Sequence, residues 1–325
     1  MSTKQMTAKQ LQVYGARIRL AWFRKASELG SVKAACGFFG IARSEYYYWN
    51  SRWKKAGKTL VSLYDQKRTP HSSPRTLSAE VTEIILCVRR ETGYGKLALS
   101  AVLARDYGVT VSDKGVNNVM RRAGVLSPKK PRKPRTRKLD DREYAPGEVG
   151  QLDVKHWKRV AYQYDIIDCA TRIKYKRLYP GVSPAETVDF LEHALRFFGP
   201  AFHFQTIQTD NGMEFTYQQM PQVYKKQHPV DVYLEARGIA HYLIRASSPH
   251  LNGRIERSHG VDKAGFKRLG QELTPSNLQA FLTEDCLRYN MYRPHQALAM
   301  KTPLEYLRAL PGYETATLDL SVLNV

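Results

Sequence analysis

Cysteine is scarce in this chain of 325 residues, which contains only Cys36, Cys87, Cys169 and Cys286, with no C-x-x-C pair. Such isolated cysteines provide neither the spacing of a zinc site nor a disulfide framework, so free thiols in a reducing compartment are expected. No run of about 18 apolar residues occurs, which excludes a predicted transmembrane helix. The polar N-terminus MSTKQMTAKQ also lacks the apolar stretch of a secretory signal. Together these absences predict a cytoplasmic protein without a membrane partner.

Negative charge is scarce in the first half of the chain. Residues 1–148 hold 30 Lys and Arg against 12 Asp and Glu, whereas residues 149–325 hold 21 against 18. Concentrated positive charge attracts polyanions such as nucleic acid. The sequence therefore predicts a nucleic-acid-binding part joined to a nearly neutral part with another task. A generally basic soluble protein is the alternative.

The segment GSVKAACGFFGIARSEYYYWNSRWKK has the layout of a helix-turn-helix, with a turn at Gly40 between two helices. The second helix of this motif enters the major groove of DNA. Ala42 is a poor N-cap for that helix, and a two-helix hairpin without DNA contacts is the alternative. We expect a DNA-binding domain over residues 1–58, with contacts from Arg43, Tyr46, Tyr47 and Arg52.

A second helical domain is expected over residues 59–126. The Pro- and Ser-rich YDQKRTPHSSPRTLS is typical of an extended linker. After it, Ser78 is placed to cap an amphipathic helix, and two shorter helices follow near Lys96 and Ser112. Three short helices predict a second helix-turn-helix, with a small helical bundle that makes no DNA contact as the alternative.

The linker over residues 127–145 begins with SPKKPRKPRTRK, which carries seven Lys or Arg in twelve residues. Its prolines exclude a regular helix. A flexible basic arm of this kind neutralises DNA phosphates, although a solvated linker is the alternative. The expected phosphate contacts are Lys129, Lys130, Arg132, Lys133 and Arg135.

Strand-forming patterns begin at residue 147. VGQLDVKHWKRV, AYQYDIIDCAT and RIKYKRLYP are three successive strand candidates, and AFHFQTIQTDNG and GIAHYLIRA are two more. A helix in SPAETVDFLEHALRFFG separates the third strand from the fourth. This order predicts an α/β domain, a mixed five-stranded sheet with flanking helices, over residues 146–272. A helical extension is expected over 273–325.

The last helix of that domain is expected in SSPHLNGRIERSHG, with Ser248 as its cap and Pro249 at its start. Glu256 lies in its first turns among arginines, and an intrahelical ion pair is the simplest explanation for it. On the same helical face, Asn252, Lys263 and Lys267 are candidates for holding DNA. A solvated basic face is the alternative for the two lysines.

Two further carboxylates occupy comparable positions. Asp153 lies within the first strand, where an acid without a partner or an ion is uncommon. Asp210 lies where the fourth strand ends, and strand ends are where α/β sheets place functional sites. A salt bridge and a simple turn are the respective alternatives. Taken with Glu256, the three acids suggest a site for hard divalent cations, Mg²⁺ or Mn²⁺. A pair of such ions stabilises the attacking and leaving oxygens in phosphoryl transfer.

These residues carry a resemblance to a known family. QLDVKHW, TDNGMEF and SPHLNGRIERSHG resemble the three motifs of bacterial insertion-sequence DDE transposases with a retroviral-integrase-type core. YNMYRPHQALAMKTPLEYL, LYDQKRTPHSSPRTLS and ETGYGKLALSAVL resemble other parts of that family, so that the likeness extends from about Ser31 to Leu307. One departure is the interval of 46 positions between Asp210 and Glu256, longer than is common in the family. The extra length is expected in a surface loop or helix within residues 216–237.

The resemblance implies an RNase H-like fold and a Mg²⁺- or Mn²⁺-dependent polynucleotidyl transferase that uses two ions. Asp153, Asp210 and Glu256 match the catalytic, metal-binding triad. The implied partners are double-stranded transposon ends and target DNA, bound by a homo-oligomer in the bacterial nucleoid. A transposase-derived DNA-binding regulator without catalysis and an RNase H-like nuclease that cuts without joining are the competing functions.

Overall fold

A computed structural model describes residues 7–66, 76–126, 142–158, 160–220, 227–245 and 249–323 of the chain. The chain divides into two compact units, Met1–Thr76 and Leu77–Val325. The basic arm predicted to bind phosphates, from Lys129 to Arg135, lies outside the described residues. The finer division into five domains stays a prediction.

The first unit is helical. It contains α1 (Ala8–Glu28), α2 (Val32–Phe39), α3 (Arg43–Lys55) and a 3₁₀ turn (Leu60–Leu63). Gly40 ends α2 in the left-handed conformation, at φ 64°, which glycine adopts at little cost. The pair of helices predicted on either side of Gly40 is therefore confirmed. Their shared core also takes in α1, through Trp22 and Phe23.

The second unit begins with three helices, α4 (Ala79–Thr92), α5 (Lys96–Asp106) and α6 (Asp113–Arg122). Ser78 caps the first of them, as its position predicted, and Ser112 caps the last; each accepts a backbone N–H group. The apolar faces of the three helices enclose one core, whose fully buried members include Ile85, Leu99 and Val116.

A five-stranded sheet follows, with strands in the order β3-β2-β1-β4-β5. The strands are β1 (Val149–Trp157), β2 (Ala161–Asp168), β3 (Lys174–Tyr179), β4 (Thr206–Thr209) and β5 (Ala240–Leu243). The first three pair antiparallel, and β4 and β5 run parallel to β1. The mixed five-stranded sheet predicted from the sequence is confirmed.

The helices of this part cover the two faces of the sheet. They are α7 (Pro184–Phe198), α8 (Pro229–Glu235), α9 (Gly253–Leu269), α10 (Pro275–Met291) and α11 (Pro303–Arg308). One face is aromatic and aliphatic, because Tyr164 and Tyr175 pack against Phe190 and Phe197 of α7. The other face carries charged residues, which α9 and α10 cover.

The helix that carries Glu256 starts later than predicted. A 3₁₀ turn spans Pro249–Asn252, and α9 itself begins at Gly253. Ser248, the predicted cap, lies outside the described residues. The later start places Glu256 in the first turn of α9, where the helix dipole favours a negative charge.

Candidate active site

A row of charged side chains crosses the sheet on one face. Asp153 of β1 stands opposite Asp165 of β2, which in turn stands opposite Lys176 of β3. Directly opposed residues project to the same face of a sheet. The row therefore places two carboxylates and an ammonium group side by side beneath the covering helices.

Asp210 reaches the same row from β4. This strand runs parallel to β1 with Gln208 opposite Gln151. Two residues farther along, Asp210 follows the end of β4 and lies beside Asp153 in the middle of β1. The Asp210 carboxylate accepts the backbone N–H of Gly212 at 3.0 Å, which fixes it in the turn that the sequence predicted.

The carboxylates of Asp153 and Asp210 are close enough to repel each other. Burial raises the pKa of Asp153 to about 6, and the charges of Asp210 and Asp165 add to the increase. His259 and the N–H of Val154 act in the opposite direction. A divalent cation between Asp153 and Asp210 would replace this repulsion with attraction and favour the ionised form. The donor set, two adjacent carboxylates, suits Mg²⁺ or Mn²⁺.

The sequence analysis missed His259 as a member of the site. Its Nδ1 lies 3.5 Å from the Asp153 carboxylate, and its Nε2 lies 3.0 Å from that of Asp165. The imidazole thus stands between the two opposed acids. The signal was present in the sequence, since His259 follows Glu256 by three positions and shares its helical face.

Asp165 is the second acid that sequence reasoning missed. It is completely buried, and burial alone would raise its pKa. His259, Lys174 and Lys176 outweigh that effect and hold its pKa at about 2. Asp165 is therefore negatively charged at neutral pH. It lies beside Asp153, whose pKa is well above that of Asp165.

Buried ion pairs fix α9 to this face. Lys174 contacts the Ser258 hydroxyl at 2.5 Å and the Asp262 carboxylate at 3.0 Å. Lys176 lies 3.2 Å from Asp262 and 2.6 Å from Asp285 of α10. Burial opposes these charges, yet the lysines lower the pKa of Asp262 and the acids raise that of Lys176. Because each buried charge is balanced by an opposite charge, these ion pairs fix the position of α9 on the sheet.

Glu256 lies on α9 between two residues that touch the strands. Four positions before it, Asn252 accepts the Gln208 amide at 2.8 Å. Three positions after it, His259 approaches Asp153. Glu256 itself is exposed. Among the described residues, no three or more His, Cys, Asp or Glu side chains are grouped so that they could hold a metal ion. The structure thus brings Asp153 and Asp210 together and places Glu256 on the helix beside them.

The predicted DNA contacts divide by burial. Arg43, Tyr47, Lys263 and Lys267 are exposed, and Arg52 is half-buried with its guanidinium 5.0 Å from the Trp49 ring centroid. Two assignments are corrected. Tyr46 is 4 % exposed and packs edge-on against Phe23 in the core. Asn252 is 3 % exposed and is engaged with Gln208. Neither side chain is accessible to DNA.

No helix within the described ranges is long and apolar enough to cross a membrane.

Parts of this chain are similar in sequence to known proteins. A family model described as the integrase core domain matches residues 237–303. A putative integrase, ORF3 of Spiroplasma virus SpV1-C74, is 29 % identical over 180 residues, which are 51 % of this chain and 50 % of the viral protein. The chain therefore spans about half the length of the curated relative it matches.

Solved structures of integrases resemble the fold weakly. The HTLV-2 integrase catalytic core domain in complex with magnesium has a TM-score of 0.40 at 19 % identity, covering 51 % of this chain and 99 % of that one. A chain in the structure of the simian T-cell lymphotropic virus intasome in complex with PP2A regulatory subunit B56 gamma has a TM-score of 0.44 at 17 % identity, covering 70 % of this chain and 75 % of that one. The family match over residues 237–303 and the viral relative make parts of this chain similar to integrases.

Proposed function

We propose that this chain is a metal-dependent DDE polynucleotidyl transferase, a transposase that cleaves the 3′ ends of its element and joins them to target DNA. The observation that carries the proposal is the placement of Asp153 on β1 and of Asp210 just after the adjacent parallel strand β4, where burial, together with the charge of Asp210, raises the Asp153 pKa. Such an arrangement costs stability and is useful chiefly where a cation binds. A regulator that only binds DNA would have no use for it.

Asp153 and Asp210 would hold the metal ions, and Glu256 would approach them from α9. When bound, two Mg²⁺ or Mn²⁺ ions would stabilise the attacking and leaving oxygens of an in-line phosphoryl transfer. His259 and Asp165 would orient Asp153, because they flank its carboxylate on the side away from Asp210. Lys263 and Lys267, exposed farther along α9, would hold the phosphates of the DNA end.

The basic N-terminal half supports double-stranded DNA as the partner. Arg43, Tyr47 and Arg52 on α3 and the basic arm from Lys129 to Arg135 would bind the element's ends. Joining two ends to one target requires more than one active site. We therefore propose that the protein works as a homo-oligomer assembled on DNA.

The decisive experiment measures nicking and strand transfer by the full chain on labelled duplexes of the DNA that flanks its own gene, with and without Mg²⁺. Asp153→Asn, Asp210→Asn and Glu256→Gln are expected to abolish both reactions and to leave end binding nearly unchanged. Glu272→Gln, which alters an exposed acid just beyond α9, is the matched control. Unchanged strand transfer in any of the three variants contradicts its catalytic role, and nicking without joining by the wild type would favour a nuclease.

A further inference from the structure

The segment 216–237, which the sequence assigned to extra surface length, contributes to the core next to Asp210. Of this segment the structure describes residues 216–220 and 227–237. Val230 and Leu234 of α8 are buried in the main core. His228 caps the helix, and its other ring nitrogen lies 3.2 Å from the Met213 carbonyl, in the turn that follows Asp210. Residues 227–237 are therefore integral to the part of the sheet that carries Asp210.

A chain of three contacts leads from α8 to the backbone of Asp210. The Asp231 carboxylate lies 2.6 Å from Nδ1 of His241, on β5. Nε2 of the same ring lies 2.9 Å from the Thr209 hydroxyl, and that hydroxyl donates to the Asp210 carbonyl at 2.9 Å. Thr209 is completely buried, and the His241 side chain is 7 % exposed. Asp231 is 42 % exposed and is the most solvent-accessible of the three side chains.

The available protons determine how this chain is satisfied. A carboxylate only accepts, so Nδ1 of His241 carries a proton. The Thr209 hydroxyl donates to the Asp210 carbonyl and also contacts Nε2 of the same ring. Asp231 thereby fixes the orientation of the ring.

The Asp210 turn is held from a second direction as well. The Asn211 amide donates to the Ile244 carbonyl at 2.7 Å, and the Ile244 N–H donates to the Thr209 carbonyl at 3.0 Å. These bonds fix the turn to the end of β5. The contact from Thr209 to the Asp210 carbonyl is the one that depends on a charged side chain in the segment 216–237.

We propose that Asp231 and His241 are positioning residues that hold Asp210 in its metal-binding orientation through Thr209. This inference rests on the proposed function, because it gives Asp231 and His241 a role in supporting a metal site that they do not themselves contact. Mutation of residues that support a metal ligand in this way commonly lowers metal affinity or activity by about 10–100-fold.

The test compares Asp231→Asn with Glu235→Gln, which alters an exposed acid one turn later on the same helix. In Asp231→Asn, the Mg²⁺ concentration for half-maximal strand transfer is expected to rise about 10–100-fold. The affinity for DNA ends should stay unchanged. Glu235→Gln should match the wild type in both measurements. Equal Mg²⁺ dependence in the two variants would overturn the proposal.

A second pair of variants isolates the hydroxyl. Thr209→Ser keeps the oxygen that links His241 to Asp210, whereas Thr209→Val keeps the shape and removes it. Thr209→Ser should retain the wild-type Mg²⁺ dependence, and Thr209→Val should show the weakened one. Similar behaviour of both variants would contradict a role for the hydroxyl.

Two readouts do not need activity. Binding of Mn²⁺, followed by electron paramagnetic resonance, should weaken in Asp231→Asn and not in Glu235→Gln. Amide hydrogen exchange over residues 209–213 should accelerate in the first variant alone. A wild type that neither reacts nor binds Mn²⁺ would refute the proposed function. Unchanged exchange in Asp231→Asn would refute the positioning role by itself.

Discussion

Asp153 and Asp165 stand directly opposite each other on β1 and β2, and the His259 ring lies within 3.5 Å of the first and 3.0 Å of the second. Like charges so placed repel each other. Their surroundings give the two carboxyl groups different pKa values. The pKa of Asp165 is held at about 2, while that of Asp153 rises to about 6. One acid is a fixed part of the scaffold, and the other is suited to exchange a proton for a cation.

The raised pKa of Asp153 predicts a pH-dependent stability. The folded state binds this proton more tightly than the unfolded state, whose pKa is about 4. The contribution is fully present below about pH 4 and is lost as the pH rises through about 6. Asp153→Asn removes this loss. At neutral pH the free energy of unfolding of the variant should therefore be about 1–3 kcal/mol higher than that of the wild type.

Urea denaturation across this pH range measures the difference. Mg²⁺ should stabilise the wild type at neutral pH and leave Asp153→Asn unaffected, because only the wild type retains the full ligand set. A variant no more stable than the wild type at neutral pH would contradict the assignment of this pKa.

The buried ion pairs predict a severe loss of stability when Asp262 is neutralised. Asp262→Asn leaves Lys174 and Lys176 buried without their shared carboxylate. Removing one partner of a buried pair costs about 3–5 kcal/mol. As control, Glu83→Gln breaks the exposed Arg90–Glu83 pair and should cost about 0–1 kcal/mol. Equal midpoints of urea unfolding for the two variants would show that the pairs do not fix α9.

Two adjacent tyrosines of α3 should respond differently to truncation. Tyr46 is buried in the core of the first unit, so Tyr46→Ala should destabilise it by about 3–5 kcal/mol, the range for large aromatic side chains. Tyr47 is 56 % exposed. Tyr47→Ala should weaken binding to DNA ends with an unchanged melting temperature. A gel-shift titration beside thermal unfolding separates the two effects, and a destabilised Tyr47→Ala would count against its DNA contact.

The residues of α9 allow a further separation. Lys263→Ala and Lys267→Ala should each reduce the slope of log affinity against log salt by about 1, as expected for a lost phosphate contact. Asn252→Ala should retain the wild-type slope, because this side chain is buried against Gln208. It should instead impair Mg²⁺-dependent nicking, since the start of α9 loses one of the hydrogen bonds that join it to β4. A reduced salt slope in Asn252→Ala would restore the original DNA-contact assignment.

Local patterns in the sequence determined the secondary structure and the position of the main acids. Ser78 caps its helix as predicted, because capping depends on a few adjacent residues. The five strands were predicted for the same reason, from alternating apolar residues and turn signals. Once the fourth strand is known to run beside the first, Asp153 and Asp210 must lie beside each other.

Tertiary packing decided which polar residues are buried and what they contact. Nothing in KYKRLY indicates that Lys174 and Lys176 are enclosed, since their partner Asp262 lies 88 and 86 positions away. Tyr46 and Asn252 face inward because of the surfaces that pack against them, which helical periodicity alone does not specify. The role of His259 likewise depends on where α9 settles on the sheet. Such contacts join residues distant in the chain, so their energies appear only when the whole sheet and its helices assemble.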